Sequence, residues 1–73
     1  MPDMDSDLQA LVDEKLDQAV DNGYDESQDD PEQVAISLMD EDTDIFELVS
    51  ERFDGDETML IPYIEVWQQR QSD

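Results

Sequence analysis

The sequence contains no cysteine and no histidine. Without cysteine there can be no disulfide and no Cys-based zinc site. Without histidine the usual general base, the usual transition-metal ligand and the usual switch near neutral pH are all missing. Any chemistry would have to rest on carboxylates. Positive charge is almost missing too, since Lys15, Arg52 and Arg70 are its only carriers. No apolar run approaches the roughly 20 residues of a membrane span. Met1-Pro2-Asp3-Met4-Asp5 has neither a basic region nor an apolar stretch. No secretory signal is therefore expected, and a cytoplasmic protein is the expectation. A length of 73 residues allows one domain, expected to span 1–73 with frayed ends at 1–5 and 72–73. A chain this small buries only a modest fraction of its surface, so a homodimer that completes the core is considered beside a monomer.

What is abundant is acid. Twenty-three Asp and Glu give a formal net charge of −20. Such a surface repels DNA, RNA and anionic membranes, and its field attracts basic proteins and cations. Residues 1–30 carry eleven acids and residues 31–73 carry twelve. The charge therefore belongs to the body of the chain and not to a detachable tail. High net charge with low mean hydropathy is a signature of disorder. The apolar residues, however, recur at helical spacing, which favours a fold.

Leu8, Leu11, Val12, Leu16, Ala19 and Val20 form one apolar stripe, predicting a helix at about residues 7–22. Ser6 and Gln9 have capping-box spacing at its start. Gly23 is placed to end it, with Tyr24 packing back. After a polar loop at 24–30, Asp30-Pro31-Glu32-Gln33 opens a second helix. Its buried side is Val34, Ala35, Leu38 and Met39, with Ile36 beside it, and the run Asp40-Glu41-Asp42 ends it. Thr43 or Asp44 caps a third helix, with Ile45, Phe46, Leu48, Val49 and Phe53 facing inward. Asp54-Gly55-Asp56 is a turn. A last helix reaches about Gln71 with Leu60, Tyr63, Ile64 and Trp67 inward. Pro62 removes a hydrogen bond, so that helix begins near Ile61, or Thr58–Ile61 is a short extended segment. The sum is an all-α fold, a compact bundle of three to four short amphipathic helices.

The polar face of the first helix carries Asp13, Asp17 and Asp21 at i, i+4 and i+8, with Glu14 beside them. Four residues advance about 6 Å along a helix, of the order of the phosphate spacing along one nucleic-acid strand. Like charges so placed destabilise a helix by roughly 0.2–0.5 kcal/mol per pair. A row kept despite that invites a functional reading, against the plainer one of a solvated outer face. Asp25, Glu26, Asp29 and Asp30 in the loop, and Asp40, Glu41, Asp42 and Asp44 between the second and third helices, extend the candidate partner-binding surface.

Asp40, Asp42, Asp44 and Glu51 also fall at positions 1, 3, 5 and 12 of a twelve-residue calcium-loop window. Ile45 stands where the glycine of the sharp turn is needed, and Glu47 where an apolar residue is needed. A helix start rich in Asp, favoured by the helix dipole, is the competing account. Asp54-Gly55-Asp56-Glu57 is a second, equally unspecific cation spot. Phe53, Tyr63 and Trp67 could line an aromatic surface but fit a small core better. Gln68-Gln69-Arg70-Gln71 reads as a fraying polar end. No phosphate-binding glycine loop or nucleophile with its base is present, so neither an enzyme nor a cofactor is expected.

The expectation is an acidic protein that occupies the nucleic-acid-binding surface of a basic protein, its carboxylates standing in for phosphates. It would bind no nucleic acid or membrane itself. In charge and size, though in no sequence motif, the chain is similar to small DNA mimics, many from phages and mobile elements. Those proteins inhibit restriction enzymes, CRISPR effectors, repair glycosylases or transcription proteins. Three alternatives stand beside this: a helical adaptor that docks on a larger enzyme such as RNA polymerase, a halophilic domain, and a calcium-responsive module. Fifteen Asp to eight Glu with one Lys fits the halophile, while only three Ala and two Gly fit it less well.

Overall fold

A computed structural model describes residues 4–72. Four α-helices, α1 (Ser6–Asp21), α2 (Pro31–Glu41), α3 (Thr43–Phe53) and α4 (Ile61–Ser72), with a 3₁₀ turn at Glu57–Leu60 before α4, make up the fold. No strand occurs among the described residues. Helix α1 lies against α3 and α4; α2 packs on α3, α4 and the 3₁₀ turn. The radius of gyration is 11.3 Å, against about 11 Å for a close-packed chain of this length. Of the ends expected to fray, residues 1–3 and 73 lie outside the described residues, while Asp5 caps α1 and Ser72 closes α4.

The helix starts show why carboxylates are so useful to this chain. Asp5, not Ser6, is the N-cap of α1, its side chain accepting from the backbone N–H of Asp7 and Leu8. Gln9, expected to reach back to the cap, instead donates to Asp13 Oδ1 at 2.9 Å and to the Tyr63 carbonyl at 3.1 Å. Asp30 caps α2, with Pro31 at the first position, where its missing N–H costs nothing. Asp42, not Thr43 or Asp44, caps α3 by accepting from the Ile45 N–H at 3.2 Å. The residue that ends one helix thus starts the next, and a single residue makes the whole α2–α3 joint. Asp56 caps the 3₁₀ turn, accepting from the backbone and the hydroxyl of Thr58. In each case an ionised carboxylate, an acceptor only, meets the orphan N–H groups at the positive end of the helix dipole.

Helix α1 ends in a Schellman motif. Gly23 takes φ +94°, its N–H bonds the Val20 carbonyl at 3.0 Å, and the Tyr24 N–H bonds the Ala19 carbonyl at 2.8 Å. The Tyr24 ring does not pack back as expected; the residue is 70% exposed. Helix α4 begins at Ile61, as expected from Pro62, and the alternative of an extended segment at Thr58–Ile61 gives way to a 3₁₀ turn at Glu57–Leu60. Pro62 stands in the first turn of α4, where a proline is tolerated.

The core is wholly apolar apart from the Tyr63 hydroxyl and the Trp67 ring nitrogen. Leu8, Val12 and Leu16 from α1, Val34, Ala35 and Leu38 from α2, Ile45 and Val49 from α3, and Leu60, Tyr63, Ile64 and Trp67 from the last helical run are buried. Leu11, Met39, Leu48, Phe53 and Ile61 pack around them. Phe46, expected inward, is 49% exposed, because Ile45 and Val49 set the buried stripe of α3 and Phe46 lies a hundred degrees round the helix from Ile45. No charged side chain is buried among the described residues.

Candidate functional site

Since the core excludes charge, the acids lie at the surface. The three cations neutralise little of it. Lys15 Nζ stands 3.5 Å from Asp42 and 3.9 Å from Asp44. Arg52 pairs with Asp5 and, at 3.7 Å, with Asp7. Arg70 pairs with Asp13 at 2.5 Å. Every positive side chain of the protein is thus already engaged with a carboxylate of its own chain. Exposed pairs of this kind add little stability. Their consequence is that none of the three cations stands free to answer a partner's acids.

The acidic row of α1 divides on inspection. Asp13 is half-buried and committed to Gln9 and Arg70. Asp17 accepts the indole N–H of buried Trp67 at 2.9 Å, which joins α1 to α4. The Asp13-Asp17-Asp21 line is therefore partly a structural seam. Exposed Glu14 and Asp21, with no bond to another described residue, are its free members. Together with Asp17 they form a row at i, i+3 and i+7 along one groove that also includes Ala10, Val20 and Gln71.

In the α1–α2 loop, Asp25 accepts from the Ser27 N–H at 3.0 Å, and bonding to Ser27 holds its carboxyl below the ordinary range. Glu26 is half-buried, and its carboxyl is raised, first by desolvation and then by the charges of Asp29 and Glu41. Glu26, Asp29 and Asp30 gather at the start of α2. Gln68, expected in a fraying tail, fixes this loop: its amide donates to the carbonyls of Glu26 at 3.1 Å and Asp29 at 2.7 Å. Helix α4 accordingly persists to Ser72.

Between α2 and α3, Asp40, Glu41 and Asp44 are exposed, and Asp42 is half-buried as cap and Lys15 partner. The twelve-residue calcium window is mostly helix, as Ile45 in place of glycine requires. Asp42 and Glu51 are nine residues apart along α3, about 13 Å, so Asp40, Asp42, Asp44 and Glu51 do not converge. Among the described residues no group of three or more acids is placed to hold a metal ion. Instead α3 shows a second outward row, Asp44, Glu47 and Glu51, again at i, i+3 and i+7. That row carries the same spacing in the sequence as the row of α1, but Glu47 and Glu51 read there as positions of the calcium-loop window.

The aromatic surface expected as an alternative is absent. Trp67 and Tyr63 are core and Phe53 is half-buried against it. The exposed rings are Tyr24 and Phe46. No helix among the described residues is long and apolar enough to cross a membrane. Compared with known protein families, curated proteins and solved structures, the chain matches nothing.

Proposed function

We propose that the protein is an acidic binder of a basic protein and acts by occupying that partner's nucleic-acid-binding surface. The observation that supports this most is the combination of a net charge of −20 with three cations that are all paired internally. What remains outward is almost pure anion, carried on short rigid helices. Carboxylates of Glu14, Asp17 and Asp21 on α1, and of Asp44, Glu47 and Glu51 on α3, repeat at about 4.5–6 Å along each axis. Loop acids Asp25, Glu26, Asp29 and Asp30, and Asp40, Glu41 and Asp42 at the α2–α3 joint, extend the field. Such rows would sit in a Lys/Arg groove in place of phosphates. Release of counterions from both partners would drive association, and affinity would fall as salt rises. The reading assigns no catalytic role and no cofactor, and takes the protein as cytoplasmic, a monomer or a homodimer. An inhibitor of the anti-restriction or anti-CRISPR kind, carried by a phage, is the form such a binder would take.

An adaptor that docks through apolar contacts on a larger enzyme, such as RNA polymerase, is the second reading. It is favoured by Tyr24 at 70% and Phe46 at 49% exposure. One experiment separates the two. The immobilised chain captures partners from nuclease-treated bacterial lysate, and a salt gradient elutes them. Mimicry predicts a nucleic-acid-binding protein released at moderate salt and displaced by DNA or RNA. Reversing Glu14 and Asp21 to lysine, which leaves the Asp13 and Asp17 seam intact, should abolish capture. Release that needs detergent, and is lost in Phe46→Ala, would favour the adaptor.

A further inference from the structure

The carboxylate rows explain attraction to any polycation but not the choice of one. A concave site on the same molecule could supply that choice. Between the end of α1, the α1–α2 loop and the end of α2 lies a cleft of about 550 Å³. Buried Leu38 and half-buried Ala19 supply its apolar lining, and Tyr24, Glu26 and Glu41 stand around them.

Two features of this cleft lack an internal purpose. The Tyr24 ring occupies the position after the Gly23 cap, where an apolar side chain ordinarily folds back on its helix. Its backbone is fixed by the bond to Ala19, yet the residue stays 70% exposed. Glu26 is half-buried beside Glu41 and Asp29, and no cation of the chain pairs with it. Lys15 also lines the cleft, but its ammonium is placed with Asp42 and Asp44. Finally, the loop that carries Glu26 is tied to α4 by both Gln68 bonds to its main-chain carbonyls, so the backbone under this carboxylate is fixed before any partner arrives.

An apolar floor, an exposed aromatic face and two uncompensated carboxylates from separate elements match one kind of side chain. Its stem must be apolar and its head a cation. Arginine fits better than lysine, because a planar guanidinium stacks on a ring and bonds carboxylates along its edge.

We propose that this cleft seats one arginine side chain of a basic protein partner, its stem on Ala19 and Leu38 and its guanidinium against Tyr24, between Glu26 and Glu41. The inference rests on reading the chain as a binder of basic proteins, and gives that binding a point of specificity.

The test uses the full chain, labelled with nitrogen-15, and two probes of equal charge, hexa-arginine and hexa-lysine, at about 150 mM salt. Hexa-arginine should bind more tightly, with chemical-shift changes centred on Ala19, Tyr24, Glu26 and Leu38. Tyr24→Ala should weaken hexa-arginine by about two- to fivefold, the worth of an exposed cation–π contact, and leave hexa-lysine nearly unchanged. Tyr24→Phe should retain the preference, and Glu26→Gln should reduce it. Tyr24 is exposed, so these variants should keep the helical circular dichroism of the parent. If Tyr24→Ala leaves the arginine preference intact, or the shifts centre on Glu14 and Asp21, the cleft proposal is overturned while acidic docking stands. If neither peptide binds saturably, both are overturned.

Discussion

Asp17 offers the sharpest test of how this surface is built. It belongs to the acidic row of α1, yet its carboxylate accepts the Trp67 indole N–H at 2.9 Å. A hydrogen bond to a charged group contributes about 1.5–3 kcal/mol, and the solvent exposure of Asp17 argues for the lower end. Replacing it with alanine also removes like-charge repulsion, about 0.2–0.5 kcal/mol per pair, and raises helix propensity by up to about 0.7 kcal/mol. These gains nearly hide the loss if Asp17→Ala is compared with the parent. Asp21→Ala, which breaks no bond to a described residue, relieves one such pair where Asp17→Ala relieves three, but it also removes an acid from the last turn of α1, where the helix dipole opposes it by about 0.3–1 kcal/mol, so the gains of the two variants are comparable. The difference between the two variants therefore isolates the indole bond. Asp17→Ala should be less stable than Asp21→Ala by about 1.5 kcal/mol. With a urea dependence of about 1 kcal/mol per molar, its midpoint should lie about 1.5 M lower. The chain has a single tryptophan, so its fluorescence follows unfolding and its indole N–H can be watched directly by NMR. Protection of that proton should fall in Asp17→Ala and persist in Asp21→Ala. Equal midpoints with equal protection would refute a structural role for Asp17 and leave it with Glu14 and Asp21 in the proposed partner surface.

Three further outcomes are expected. Asp5→Ala removes the α1 cap, worth about 1 kcal/mol, and releases Arg52, so its urea midpoint should fall by about 1 M or more. Glu26→Gln should stabilise the fold at neutral pH: the folded carboxyl titrates above its ordinary 4.5, first through burial and then through Asp29 and Glu41. The folded state thus binds the extra proton, stability declines as pH rises from the ordinary 4.5 through that raised pKa, and the benefit of Glu26→Gln should vanish only below 4.5 in a pH series of urea melts. Gly23→Ala meets no atom within 4 Å, so only its φ of +94° opposes the change; the expected loss is about 1–2 kcal/mol, read as a lower thermal midpoint.

The sequence by itself determined the class of fold and the sign of the surface. The period of Leu8, Val12 and Leu16, and of Tyr63, Ile64 and Trp67, marks helix faces because helical geometry repeats locally. Asp30-Pro31 and Gly23 were readable as helix boundaries for the same reason: caps depend on residues a few positions apart. The neighbouring choice of Asp5 over Ser6, and of Asp42 over Thr43, was not, since adjacent residues offered similar acceptors. Asp5 also meets Arg52 and the Tyr63 hydroxyl, 47 and 58 residues away, and Asp42 meets Lys15.

Long-range packing decided the rest. Nothing near Asp13 or Asp17 announces Arg70 or Trp67, more than 45 residues on, yet these partners turn half of the acidic row into a seam. Nothing near Gln68 announces the loop carbonyls that it holds. Composition fixes how much charge a chain carries. Only the tertiary structure decides which carboxylates hold it together and which, like those of Glu14, Asp21 and Glu26, make no bond to another described residue.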